Sequence, residues 1–207
     1  MTTTEPAAPA TGRRGRPGYD RDSMLEVVVE AFNERGYDAT SLGVLAERLG
    51  LSKSAIYHHF DSKEQMLEVA LGKALDALEA VFDEPEATTG PVVSRIRHVV
   101  RGAVLVLCEQ RAFVTLLLRL RGNTPIELEA LRRRRAIDRK LRALFEASRD
   151  EGTLRADMDP RIAERLTFGM VNSIVEWYRP DGPITPQQLA DSVLELVRTG
   201  LREPSSL

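Results

Sequence analysis

A short stretch near the N-terminus concentrates hydrogen-bonding and cationic side chains that a small helical core does not require. Ser52, Lys53, Ser54, Tyr57, His58 and His59 fall on a helix of about two turns, and only Ala55 and Ile56 there are suited to packing. Side chains of this kind on the second helix of a helix-turn-helix meet base edges, while hydroxyls and backbone amides hold phosphates. Lys63 stands at the start of a following helix, where its charge opposes the helix dipole and a phosphate would relieve it. Upstream, Arg13, Arg14 and Arg16 alternate with glycine and proline, a flexible cationic arm. It either enters a narrow minor groove or adds non-specific attraction as a solvated tail.

Other chemistries find little support. His58 and His59 point about 100° apart on a helix and lack partners one turn away, so they do not make a metal site. His98 and Cys108 are the only nucleophile–base candidates of the later chain, but ten residues of one helix separate them by about 15 Å. No phosphate loop, paired ligand motif or nucleophile elbow occurs. Neither catalysis, a metal nor a cofactor is expected. Bulk charge is silent: the chain carries a net charge of -2, and residues 1–63 hold eight Lys/Arg against nine Asp/Glu. A DNA reader of this composition must turn its acids away from the phosphates.

The elements that position these groups read as helices throughout. Over Asp20–Arg35, Leu25, Val28, Val29 and Phe32 make one buried stripe, and Gly36 stops it. A second helix starts from Thr40 or Ser41 as cap and buries Leu42, Leu45, Ala46 and Leu49; Gly50 turns the chain. The Ser52 cap opens the third helix, and Asp61-Ser62 opens a long fourth one to about Phe82. Pro85–Pro91 reads as a linker. Further helices are expected near Val92–Gln110, Ala112–Leu120, Pro125–Asp150, Pro160–Tyr178 and Pro186–Leu201.

The fold expected is all-α: a three-helix helix-turn-helix module joined by a long fourth helix to a C-terminal helical domain for ligand binding and dimerisation. The divisions are a disordered basic arm over 1–18, a DNA-binding domain over 19–66 and the helical domain over 67–203. No apolar run approaches the roughly 20 residues that span a bilayer. The single cysteine and the lack of an apolar N-terminal stretch fit the cytoplasm.

Gly36-Tyr37, Thr40, Leu45-Ala46, Gly50-Leu51-Ser52, Tyr57, Phe60, Lys63 and Leu67 together resemble the N-terminal signature of the TetR family of repressors, across roughly residues 20–67. The resemblance implies that Thr40, Lys53, Tyr57, His58 and Lys63 touch phosphates, and that Ser52, Ser54 and Ala55 face the groove floor. Ser41 joins them as a candidate DNA contact. A double-stranded palindromic operator implies a homodimer. Leu166, Met170 and Ile174 on one helix and Leu189, Val193, Leu196 and Val197 on the next either form its interface or pack within the monomer.

A small effector is expected in the same domain, lined by Leu105, Cys108, Phe113, Leu117, Phe168, Val171, Asn172, Val175 and Trp177. Asn172 either orients the ligand or caps a neighbouring backbone group. The run Glu176-Trp177-Tyr178-Arg179-Pro180-Asp181-Gly182-Pro183 is similar to one in TetR-type regulators of fatty-acid, sterol-fragment or phenylacetate breakdown, which implies an acyl-CoA thioester. Arg132–Arg135 either bind its phosphates or are solvated and paired with Glu127, Glu129 or Asp138. The competing reading is a helical ligand-binding or scaffolding protein that does not bind DNA.

Overall fold

The computed structural model describes residues 19–201, which form ten helices. The basic arm and its Arg13, Arg14 and Arg16 lie outside the described residues. Helix α1 (Arg21–Arg35) starts where Asp20 accepts from the Ser23 amide at 2.7 Å, and ends at Gly36, whose φ of 86° a side chain would resist. Helix α2 (Leu42–Leu49) is capped by Ser41 and closed by Gly50 in the left-handed region. That glycine sets the turn into α3 (Lys53–Tyr57), which Ser52 caps. Met24, Leu25, Val28, Phe32, Leu45, Ile56 and Phe60 are buried between the three helices.

Helix α4 (Lys63–Asp83) begins with a reciprocal cap: Ser62 accepts from the Gln65 amide, and the Gln65 side chain accepts from the Asp61 amide at 2.7 Å. It runs unbroken from the small module into the larger helical domain, across the expected 66/67 division. The stretch expected as a linker is ordered instead. Glu84 is extended, Pro85 presets the first helical φ, and α5 (Pro85–Thr88) folds with Ala87 buried and both Thr88 and Thr89 hydroxyls donating to the Pro85 carbonyl.

Five longer elements complete the domain: α6 (Val92–Glu109), α7 (Arg111–Leu118), α8 (Pro125–Asp150), α9 (Pro160–Trp177) and α10 (Pro186–Leu201). Helix α4 packs against α6, α7 and α8, α8 against α9, and α10 chiefly against α6. At the α4–α6 crossing the absent side chain of Gly102 admits Val81; a Cβ there would lie 3.0 Å from Val81 Cγ2 and closer still to Cγ1. Ion pairs tie α4 to α8. Arg133 bridges Asp76 (2.6 Å) and Glu79 (2.7 Å), and Lys140 reaches Asp83 at 3.1 Å. No helix among the described residues is long and apolar enough to cross a membrane.

Candidate nucleic-acid interface

Helix α3 projects the side chains singled out above. Ser52, Lys53, Ser54, Tyr57 and His58 are all exposed, Ala55 is half-buried, and Ile56 alone is fully inside. The Tyr57 ring is 47% exposed although it is aromatic, so it is not a lid on the core. Ser52 spends its oxygen on the Ala55 amide (3.1 Å) and sits 2.9 Å from the Ser54 hydroxyl. Lys53 runs back toward α2: its Cε lies 3.9 Å from where a Gly43 Cβ would stand, and Ser41 Oγ lies 3.5 Å from the same point. Ser41, Lys53 and the first amides of α2 therefore gather at one helix N-terminus.

Several acids of the module are held by neighbouring side chains and amides. Arg48, in the last turn of α2, reaches back to α1 and takes both Glu34 oxygens and Glu30 (3.3 Å). The guanidinium bonds hold the Glu34 carboxyl below its usual range. Asp20 is likewise lowered, chiefly by the Ser23 hydroxyl and amide that it caps, and Asp61 is bound by the Gln65 amide side chain.

Two expected phosphate contacts are engaged elsewhere. Thr40 is 0% exposed, and its hydroxyl donates to the Gly36 carbonyl at 2.7 Å. That is a correction: this side chain braces the α1–α2 turn from beneath and cannot meet a phosphate. Lys63 donates to the Tyr37 carbonyl at 3.0 Å, with its ammonium 4.1 Å from the Tyr37 ring centre. Tyr37 also packs edge-on to Phe32, and burial together with the nearby Glu64 carboxylate pushes its phenol up to about 12. Lys63 thus pins the module to the start of α4.

In the larger domain the expected faces divide. Cys108, Phe113, Leu117, Phe168, Val171 and Val175 are buried together in the helical core, and Leu105 is half-buried. Burial raises the Cys108 thiol pKa. Asn172 is only half-buried, so the cost of an isolated buried amide does not arise. Trp177 is 50% exposed at the end of α9, apart from that buried group, while its neighbour Tyr178 turns inward. Of the interface candidates, Ile174 is buried on the face that α9 turns to α8 and α6, and Leu189 and Val193 are buried because α10 lays that face on α6. Leu166 (61% exposed) and Leu196 (63%) point out, with Met170 and Val197 partly covered. Within the arginine run, Arg132 pairs with Glu129 and Arg133 with α4, while Glu127 accepts from the Gly122 and Asn123 amides rather than from arginine.

A second attachment of the module escaped sequence reasoning. Asn33 of α1 donates from Nδ2 to the Ala112 carbonyl at 2.8 Å, and Arg119 donates to the Asn33 carbonyl at 2.9 Å. Lys73 of α4 stands 4.9 Å from the Phe113 ring centre and 3.6 Å from Asp22. An asparagine following Phe32 carries no local sign that its partner lies 79 residues away.

Residues 18–70 match the family model described as bacterial regulatory proteins, tetR family, and residues 89–201 match the tetracyclin repressor-like C-terminal domain. Over 206 residues the chain is 28% identical to the HTH-type transcriptional repressor KstR2 of Rhodococcus jostii, covering 98% of both chains. It is 47% identical to a solved member of the TetR transcriptional regulator family from Streptomyces coelicolor, with a TM-score of 0.81 over 87% of this chain and 91% of that one. It is 27% identical to the ketosteroid transcriptional regulator KstR2 of Mycobacterium tuberculosis, with a TM-score of 0.81 over 92% of this chain and 98% of that one.

Proposed function

The chain belongs to the TetR family of bacterial regulatory proteins, and from that premise we propose that it represses transcription as a homodimer on a palindromic operator and is released by an acyl-CoA thioester. The observation that carries the DNA reading is α3: five residues long, with Lys53, Ser54, Tyr57 and His58 exposed and no ion pair drawn on Lys53 among the described residues. Ser54 and Ala55 face the groove floor; Ser41, Lys53, Tyr57 and His58 hold the flanking phosphates. The arm with Arg13, Arg14 and Arg16 adds a minor-groove contact.

The dimer is supported by the outward stripe of α9, where Ile162, Leu166, Met170 and Trp177 recur at helical spacing, beside Leu196 on α10. Two such helices from each subunit make a four-helix contact about a two-fold axis. The effector class is supported by the run Glu176–Pro183 and its similarity to the run in TetR-type regulators of fatty-acid, sterol-fragment or phenylacetate breakdown; the relative named as a ketosteroid regulator makes a steroid-derived acyl group one of those to test. Ligand and DNA then favour different placements of α4, and each weakens the other by the same coupling energy.

The test is fluorescence anisotropy with a labelled fragment of the protein's own promoter. Wild type binds at low salt; Lys53→Ala lowers the slope of log K against log salt by about 1. Tyr57→Ala weakens binding without unfolding the chain. No binding at low salt refutes the repressor. If long-chain, steroid-derived and aromatic acyl-CoAs all leave the complex intact, the effector class is wrong while DNA binding stands.

A further inference from the structure

We infer that Glu84, Glu86 and His98 form a binding site for one divalent transition-metal ion where α4, α5 and α6 meet, a site that sequence reasoning did not anticipate. One imidazole nitrogen and two carboxylates there lie within 4.8 Å of one another, and His98 Nε2 is 2.6 Å from Glu84 Oε2. Ligands bound to zinc at about 2.0–2.2 Å lie roughly 3–3.5 Å apart. The exposed glutamate side chains cover that difference by rotation, with no backbone movement.

Charge and space point the same way. Two carboxylates are brought together against one imidazole, and Glu86 has no ion-pair or hydrogen-bond partner among the described residues. Of the arginines nearby, Arg95 donates to the Ala87 carbonyl at 2.8 Å and Arg101 pairs with Asp191 at 2.5 Å, while Arg97 lines the same cleft as Glu86 and His98. A cleft of about 500 Å³ opens over Glu86 and His98, with Thr89, Ser94, Arg97 and Arg101 on its walls, leaving room for the waters that complete a three-ligand site. Imidazole separates this group from an ordinary acidic patch. A mixed nitrogen and oxygen donor set suits zinc, manganese, iron(II), cobalt or nickel, and disfavours magnesium and calcium, which take oxygen.

The position has a consequence for the helices. Glu84 joins α4 to α5, while His98 is on α6, four residues before Gly102 and its close contact with Val81. A bound ion fastens the far end of α4 to α6 along that same seam.

Tag-free protein, stripped with EDTA and dialysed, is titrated with Zn²⁺, Co²⁺ and Mg²⁺ by calorimetry, with the Co²⁺ visible spectrum and the melting temperature as further readouts. One Zn²⁺ or Co²⁺ per chain is expected, with a melting temperature raised by more than about 2 °C at saturation and little response to Mg²⁺. Glu86→Gln, at an exposed and unpartnered residue, keeps the fold and weakens binding by about tenfold or more, the loss found even for outer-shell groups. His98→Gln abolishes the cobalt spectrum; the His58→Ala/His59→Ala double variant keeps it. Absence of stoichiometric binding in the wild type overturns the site. So does binding that survives both Glu86→Gln and His98→Gln, or that disappears with His58 and His59.

Discussion

Replacing Gly102 by alanine tests how tightly α4 and α6 are matched. The added Cβ falls 3.0 Å from Val81 Cγ2, nearer to Cγ1, and 3.3 Å from Val81 Cβ. Ordinary carbon contacts are about 3.5–4.0 Å, so the overlap approaches an ångström. Val81 is β-branched and held in essentially one rotamer on a helix, so it cannot swing aside. The two helices must part. Overpacking of this kind costs about 1–3 kcal/mol, and the gain from removing a helical glycine returns about 0.5–1 kcal/mol. The net loss is about 1–2 kcal/mol, or about 3–6 °C in melting temperature for a domain of this size. Urea denaturation of Gly102→Ala, Val81→Ala and the double variant makes the decisive cycle. Removing Val81's methyls relieves the clash, so the double variant is more stable than the sum of the single losses, by about 1 kcal/mol. Additive losses, or a Gly102→Ala protein more stable than wild type, would refute the reasoning.

Three further outcomes follow from the structure. Thr40→Val removes the hydroxyl bond to the Gly36 carbonyl and lowers stability by about 1–2 kcal/mol by urea denaturation, yet leaves the salt slope of promoter binding unchanged. Tyr37 has its folded pKa raised to about 12 against an ordinary value of 10.0, so the stability it supports is complete below pH 10 and is lost as pH rises toward 12. Denaturation midpoints of wild type therefore fall across that window more steeply than those of Tyr37→Phe. Leu166→Glu with Leu196→Glu places charges on the exposed faces of α9 and α10; sedimentation gives a monomer whose melting shows that the chain remains folded, and whose operator affinity is reduced.

The parts of the fold readable from sequence are those with local chemistry. Asp20, Ser41, Ser52 and Ser62 each cap a helix they precede, Gly36 and Gly50 close one, and Pro125 and Pro160 open two more, so boundaries followed from side chains next to them. The polar surplus on α3 was legible for the same reason. Facing was not. Helix α9 is apolar on two sides, with Phe168, Val171 and Ile174 inward and Leu166 outward, and spacing alone cannot say which stripe meets the monomer core. On α10, Leu189 and Val193 share the helix with Leu196 but pack on α6. Thr40, expected to face DNA, instead satisfies a carbonyl four residues back, and a hydroxyl can do either. Asn33, Arg133 and His98 act across gaps in sequence that leave no periodic trace.

The contact of Asn33 and Arg119 across α1 and α7 gives the reading module a second mounting besides the continuous α4. A plate carried on one rod can swivel in any direction. Fastened at a second point, it keeps chiefly the rotation about the line joining the two. Any displacement of α7 against α4 would therefore turn the module, and α3 with it, about a set axis. Such a linkage answers to the relative position of two helices, whatever moves them.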